Sequence, residues 1–255
     1  MIPRVLIVAG SDSGGGAGIQ ADIKTVTMLG GHAMTAITAV TAQNTLGVQA
    51  IHPIPADVVG AQMRSVIEDI GVDAVKIGMI GSASVAHAVA DLLEQLDVPI
   101  VFDPVMISTS GAVLADAATM GAFGRLMHVA SVVTPNVPEM AALGGEAAVL
   151  AHGCHVVAKG GHGDGEEIVD RLLSPQGEIA RAVGRRFNTV DTHGTGCTLA
   201  SALAAGLAGG MGIEAAFRRA VRFVRIAIVN APALGGGHGP IGHTLGVVPF
   251  DAMES

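Results

Sequence analysis

Short apolar runs alternate with longer stretches of helical periodicity along most of this chain of 255 residues. Such alternation is typical of a parallel sheet with helices on both faces, because each strand needs a crossover helix to reach the next. The chain is therefore predicted to be an α/β protein, a three-layer α/β/α sandwich around a central, mostly parallel sheet. The predicted strands are 5–9, 34–40, 74–77, 100–102, 131–133 and 156–158, followed by an antiparallel pair at 168–173 and 178–183. The predicted helices are 18–29, 56–70, 84–96, 115–127, a short one after Asn136, 195–207 and 213–230.

No linker, repeat or low-complexity segment interrupts this pattern. We therefore predict one domain over residues 1–255, with its core at about 3–243. Ligands of open α/β sheets bind at the carboxyl ends of the strands. The segments that follow the predicted strands are accordingly the place to look for chemistry.

The distribution of charge narrows the class of partner. The formal net charge is −8 and no basic stretch occurs, which argues against nucleic acid. Two long stretches without charged residues, 25–56 and 226–250, are broken by polar, proline or glycine residues, so neither is predicted to span a membrane. We expect a soluble, cytoplasmic protein that acts on a small molecule.

A glycine-rich loop, Gly10 to Gly18, follows the first predicted strand. Its glycines allow a ligand to approach the backbone closely. Residues 16–21 match a loose dinucleotide fingerprint, but that motif needs an acidic residue about 20 positions further on. None occurs between Asp22 and Asp57, which weighs against a dinucleotide oxidoreductase. A plain tight turn stays open as an alternative.

A second glycine-rich segment, Thr192 to Cys197, precedes an alanine-rich helix. The first N–H groups of a helix have no intrahelical partners and attract anions, so Gly194, Thr195 and Gly196 are predicted to bind a phosphoryl group. Cys197 lies in the first helical turn, where a thiol pKa is expected to fall, and could then act as a general base. A capping turn with a buried cysteine is an equally good interpretation of this segment alone.

Charged residues follow three other strands. Asp103 and Glu139 are candidate carboxylates for Mg²⁺, which takes one or two carboxylates and keeps waters and substrate phosphates as further ligands. Asn136 and Glu139 also fit a helix-capping arrangement. Lys159, in the segment that ends at His162, could neutralise a phosphate, whereas the alternative is a solvated surface lysine.

Taken together, these segments resemble the bacterial hydroxymethylpyrimidine/phosphomethylpyrimidine kinases of thiamine biosynthesis, a branch of the ribokinase superfamily. Each segment alone would be weak evidence for this family, but eight segments in the order found in the family are specific evidence. The matching segments are 9–22, 41–45, 76–79, 103–106, 134–139, 159–162, 192–197 and 237–240.

The resemblance implies ATP-dependent phosphorylation of 4-amino-5-hydroxymethyl-2-methylpyrimidine and then of its monophosphate, with Mg²⁺, in a homodimer. It assigns the pyrimidine pocket to Gln43, Asp22, Gly10, Ala17, Met79 and Val105. It assigns Mg²⁺ to Asp103 and Glu139, and ATP to Lys159, Thr195 and Asn136. The anion hole is the backbone of Gly194, Thr195, Gly196 and Cys197, and Cys197 is the base.

Two other functions stay open. A pyridoxal or pyridoxine kinase would use the same fold and chemistry, although Gln43 and Met79 favour a pyrimidine. A non-catalytic sensor of the pyrimidine phosphate is disfavoured by the intact Asp103, Glu139, Lys159 and Cys197. The two acceptors also differ: the alcohol must lose a proton, whereas a phosphate monoester is largely dianionic at pH 7, its second pKa being about 6. Only the first step is then expected to need Cys197 as a base.

Overall fold

The computed structural model describes residues 1–161 and 165–247, so His162 lies outside the described residues. Within them the strands are β1 (Arg4–Asp12), β2 (His32–Asn44), β3 (Gly47–Pro53), β4 (Ala74–Ile77), β5 (Ile100–Phe102), β6 (Val132–Val133), β7 (His155–Ala158), β8 (Glu167–Ser174) and β9 (Gly177–Arg185). The helices are α1 (Gly18–Met28), α2 (Ala56–Asp69), α3 (Ala83–Leu93), α4 (Ala117–Val129), α5 (Val137–Ala142), α6 (Glu146–Leu150), α7 (Thr195–Ala208) and α8 (Ile213–Val229).

These strands form one sheet in the order β3-β2-β1-β4-β5-β6-β7-β8-β9. Six strands pair in parallel, in the sheet order β2, β1, β4, β5, β6 and β7; for example, Leu6 of β1 pairs with Met34 and Val75. Antiparallel strands close both sides of the sheet: β3 pairs with β2 on one side, and on the other β8 pairs with β7 and β9 pairs with β8. The predicted mostly parallel sheet is confirmed.

Apolar side chains are buried on both faces of this sheet. On one face, residues such as Leu6 and Phe102 pack under α2 to α6, where the Phe102 and Phe123 rings meet edge to face at 5.2 Å. On the other face, Val5, Ile7 and Val101 pack under α1, α7 and α8. The predicted three-layer α/β/α sandwich is therefore confirmed.

Two short elements depart from the predicted pattern. Strand β3 forms a hairpin with β2 and is exposed along Gln49 to Pro53, so it carries no alternation of buried and exposed residues. Helix α6 has five residues, which is too short to establish a helical period. No helix of the described ranges is long and apolar enough to span a membrane.

The parallel strands β1, β4, β5, β6 and β7 all end at one edge of the sheet. The glycine loop after β1 and the start of α7 lie at that same edge, since a Cβ on Gly194 would meet the backbone of Gly16. The fold thus brings together segments that are far apart in the chain, at one edge of the sheet.

Candidate active site

Two glycine-rich loops pack against each other at this edge. Gly194 has φ of +87° and stands at the N-cap of α7, and a Cβ there would overlap the carbonyl oxygen of Gly16. A Cβ on Gly16 would in turn press against the His193 ring. The two loops can approach this closely because both positions are glycine.

Asp12 organises the first of these loops. Its carboxylate accepts hydrogen bonds from the backbone N–H groups of Gly14 at 2.8 Å, Gly16 at 3.0 Å and Ala17 at 2.8 Å, and lies 3.0 Å from His193 Nε2. Burial alone would raise the pKa of this carboxyl group, but His193 and the backbone donors outweigh it and leave the pKa below its ordinary value. The Asp12 carboxylate therefore holds both loops together as an anion.

Among the described residues no side chain caps the start of α7, although Thr195 N–H donates to Thr192 O at 3.3 Å. Gly194 has no side chain to cap the helix, and Thr195, Gly196 and Cys197 are half-buried, whereas Thr198 is fully buried. The first N–H groups of a helix find partners in caps, water or ligands. This geometry favours the anion-site interpretation of the segment over the capping turn.

A lysine and two carboxylates lie beside the helix start. Lys159 Nζ donates to Asp103 Oδ1 at 2.8 Å and lies 3.8 Å from Glu139 Oε2. A Cβ on Gly196 would be 3.3 Å from Lys159 Nζ and 3.5 Å from Asp103 Oδ2. Thr134 Oγ1 also donates to Asp103 Oδ1, at 2.9 Å. The predicted metal and phosphate residues therefore converge on the start of α7.

Burial shapes the charges of this group. It raises the pKa of Glu139, an effect that Lys159 opposes and Asp103 reinforces. The pKa of Lys159 is raised, because Asp103 and Glu139 more than offset the cost of burying its ammonium group. Asn136 caps α5 by accepting from Glu139 N at 2.9 Å, while Glu139 Oε2 accepts from Asn136 N at 2.8 Å. The capping alternative is correct for this pair, and it leaves Glu139 near Lys159.

The expectation of a lowered thiol pKa for Cys197 is wrong. Burial, with the carboxylates of Asp22 and Asp103, raises the pKa of this thiol to about 11, although Lys76 and the Gly18 N–H oppose the rise. The start of the helix does favour a thiolate, but desolvation of the charge outweighs it.

The structure does not present the Asp22 side chain to a ligand. Asp22 is fully buried, with one carboxylate oxygen 2.8 Å from Lys76 Nζ and the other accepting from Ser201 Oγ at 2.6 Å. A direct contact with a substrate would require this ion pair to open. Asp22 thus lies against Ser201 of α7, and its expected role in the pyrimidine pocket beside Gln43 stays a prediction.

The other predicted pocket residues lie along the ends of β1, β2, β4 and β5. A Cβ on Gly10 would be 3.1 Å from Met79 Sδ, so these two residues are neighbours. Gln43 is half-buried, and its backbone carbonyl accepts from Ser13 Oγ of the first loop at 2.7 Å. Ala17 and Val105 are also half-buried, at the N-cap of α1 and two residues after Asp103.

Sequence reasoning missed three residues of this site. Lys76 is fully buried within the apolar strand β4, and a lysine in so short an apolar run was the available signal. Asp12 and His193 stand inside the two glycine-rich segments, but only the fold brings them together across 181 residues of sequence.

Known proteins resemble this chain both in sequence and in fold. The phosphomethylpyrimidine kinase family model matches residues 12–242. The hydroxymethylpyrimidine/phosphomethylpyrimidine kinase of Streptomyces coelicolor is 49% identical over 255 residues, covering 94% of this chain and 94% of the relative. Among solved structures, an ADP complex of Bacillus subtilis pyridoxal kinase superposes with a TM-score of 0.88 at 32% identity, covering 96% of this chain and 98% of that one. Phosphomethylpyrimidine kinase from Clostridium difficile gives 0.76 at 37% identity, covering 89% and 100%.

Proposed function

Since the chain belongs to the phosphomethylpyrimidine kinase family, we propose that it phosphorylates 4-amino-5-hydroxymethyl-2-methylpyrimidine with ATP and then phosphorylates the monophosphate to the diphosphate, for thiamine diphosphate biosynthesis. One observation carries the proposal: the uncapped start of α7 opens beside Lys159 and Asp103. Phosphoryl transfer depends mainly on positioning and on neutralising charge, and this arrangement supplies backbone donors and a cation at one place.

In each step an acceptor oxygen attacks the terminal phosphorus of ATP. A new P–O bond forms, the bond to the bridging oxygen breaks, and ADP leaves. The N–H groups of Gly194 to Cys197 would hold the equatorial oxygens of the transferred group, and Lys159 and Thr195 would bind the ATP phosphates. Asn136 would contact the nucleotide through the part of its amide that does not cap α5.

Asp103 and Glu139 would bind the magnesium ion. Thr134 and Lys159 both donate to Asp103 Oδ1, while Asp103 Oδ2 faces the start of α7. In the described ranges no group of three or more His, Cys, Asp or Glu side chains could hold a metal, so substrate phosphates would complete its coordination. Magnesium bound there would neutralise negative charge on the phosphates.

Gln43, Gly10, Ala17, Met79 and Val105 would form the pyrimidine pocket. The Gln43 amide offers a donor and an acceptor, which match the amino group and the adjacent ring nitrogen of an aminopyrimidine. Gly10 and Met79 pack side by side and would contact the flat ring.

Cys197 would serve the first step alone. The alcohol must transfer a proton as its oxygen attacks, whereas the phosphate monoester brings an oxygen that is already negative. A thiol pKa of about 11 leaves little thiolate at neutral pH. If this thiolate is the base, the rate of the alcohol step rises with pH above 7, and the rate of the monophosphate step does not follow it.

The decisive experiment measures ADP release from Mg-ATP with the pyrimidine alcohol and its monophosphate offered separately, for the wild type and Cys197→Ala. We expect the variant to lose most of its alcohol phosphorylation, about 100-fold by the usual weight of general base catalysis, and to keep most of its monophosphate phosphorylation. Cys154→Ala is the control, because Cys154 is a buried thiol that precedes β7 at the opposite edge of the sheet. Equal losses in both steps would show that Cys197 serves geometry instead of proton transfer.

A pyridoxal kinase is the second candidate, favoured by the superposition on the Bacillus subtilis enzyme. Comparison of kcat/KM for the pyrimidine alcohol and pyridoxal decides between the two. Substrate-dependent ADP release from either one eliminates a non-catalytic sensor.

The family resemblance also leads us to propose a homodimer in the cytoplasm. The exposed edge strand β3 offers a surface for such pairing. Sedimentation equilibrium gives the mass in solution, and a monomer of 25.5 kDa at micromolar concentration would contradict the dimer.

A further inference from the structure

His193 stands between the carboxylate of Asp12 and the amide of Gln43. Its Nε2 atom is 3.0 Å from Asp12 Oδ2 and 3.2 Å from the terminal amide atom of Gln43. His193 and Asp12 are both buried, at 7% and 3% exposure, so water does not compete freely for these contacts. The ring directly precedes the N-cap of α7, and its backbone N–H donates to Gly239 O at 3.1 Å. Hydrogen bonds therefore fix both the ring and the backbone of His193.

The partners of the ring decide which nitrogen carries the proton. The Asp12 carboxylate accepts three backbone N–H groups, and as an anion it can only accept. His193 Nε2 must therefore bear a hydrogen that points at Asp12. The other nitrogen, Nδ1, lies 3.4 Å from the Thr109 hydroxyl, which can donate to it. The contact with Asp12 therefore places a hydrogen on Nε2.

This hydrogen on Nε2 fixes the Gln43 amide. Oxygen and nitrogen of an amide have nearly the same shape, and their places follow from the hydrogen-bond network. An amino group facing a protonated Nε2 would set donor against donor, so the Gln43 oxygen faces His193. The amino group then faces Thr41 Oγ1, 3.2 Å away. Thr41 Oγ1 can accept it, because its own hydrogen goes to Ser11 O at 2.9 Å.

We propose that His193 is a positioning residue that fixes which end of the Gln43 amide accepts and which donates, and so sets the ring that the pocket selects. This inference rests on the proposed function. With the orientation of the Gln43 amide fixed, the free lone pair of its oxygen accepts a hydrogen bond from the exocyclic amino group of the substrate. Its remaining N–H donates to the adjacent ring nitrogen. A pyridine ring of the vitamin B6 type has no such amino group. Without His193 the Gln43 amide can rotate by half a turn. In the rotated orientation its N–H faces the amino group of the substrate and its oxygen faces the ring nitrogen, so neither hydrogen bond forms.

The test uses two substitutions of nearly equal shape. His193→Gln keeps an amide N–H that can point at Asp12, whereas His193→Met fills the same space without a donor. The dissociation constant of the pyrimidine alcohol is measured by calorimetry, in the wild-type and Gln43→Ala backgrounds. We expect the Met variant to bind about tenfold more weakly and the Gln variant to stay within about threefold of the wild type. In the Gln43→Ala background the difference between the two should fall below about twofold, because contacting residues couple.

Equal affinities of the two variants, or a Met penalty that persists without Gln43, would overturn the inference. Nitrogen-15 spectra of the wild-type imidazole provide a check that depends on no variant: Nε2 should carry a hydrogen, and an unprotonated Nε2 also overturns the inference. Failure of the proposed function looks different. In that case the wild type itself neither binds nor phosphorylates the pyrimidine alcohol, whatever the His193 tautomer.

Discussion

Replacing Gly194 by alanine tests whether the contact between the two glycine loops builds the anion site. Gly194 has φ of +87° and its would-be Cβ overlaps the carbonyl oxygen of Gly16. Alanine therefore brings two separate costs. One is the left-handed backbone, about 1–2 kcal/mol for an L-residue, and the other is a steric overlap with main chain that no rotamer change relieves.

Gly30→Ala isolates the first cost. Gly30 has φ of +85° and no atom within 4 Å of its would-be Cβ. For a chain of this length 1 kcal/mol lowers Tm by about 2–4 °C, so we expect Gly30→Ala to melt about 5 °C lower and to keep its activity.

In Gly194→Ala the steric overlap with Gly16 should lower the catalytic rate. The start of α7 must move away from Gly16 by roughly 1 Å, and a displacement of that size costs about 100-fold in rate, or ~2.7 kcal/mol. The assay is kcat/KM for both phosphorylation steps, with thermal melting of both variants. Both steps should fall together, since both use the same anion site. A Gly194→Ala enzyme with kcat/KM within threefold of the Gly30→Ala enzyme would refute the reasoning.

Three further predictions concern buried ionisable side chains. Lys76→Met leaves the buried Asp22 carboxylate unpaired and should cost about 3–5 kcal/mol of unfolding free energy in urea, most of which the double variant with Asp22→Leu should regain. Lys159→Met should lower kcat of both steps alike by about 100-fold in the ADP-release assay, unlike Cys197→Ala, since both steps transfer the same charged group. Burial lowers the pKa of His243 from 6.5 to about 4, so its contribution to stability is complete above pH 6.5 and is lost as the pH falls toward 4. That contribution is about 3 kcal/mol, and denaturation at pH 7 and pH 4.5 should show a smaller pH dependence for His243→Gln, whereas an unchanged dependence would contradict the assignment.

The strands and helices with strong periodicity could be predicted from the sequence. Helix α2 begins at Ala56 and strand β4 covers Ala74–Ile77, as expected, because burial imposes a period of 3.6 or a continuous apolar run on such elements. Strand β3 could not be predicted, because an exposed edge strand buries no face and so leaves no pattern.

Site residues could be predicted from the sequence where a charged residue directly follows a predicted strand. Asp103, Glu139 and Lys159 follow β5, β6 and β7, and the parallel sheet brings those ends together. The thiol pKa of Cys197 was not predictable, because it depends on desolvation and on Asp22 and Asp103, which no local spacing reveals.

The division of the core between two sheet faces has a consequence for synthesis on the ribosome. When β7 has emerged, α2 to α6 can already cover one face, but the other still lacks α7 and α8. Val101, Val132 and Val157 then lie on a sheet face that only the late helices complete. Partly synthesised chains with such surfaces tend to associate, so we expect the nascent protein to depend on a holding chaperone until residue 229 has emerged. Activity is likewise acquired late, since Asp12 must wait for His193 before either loop is held in place.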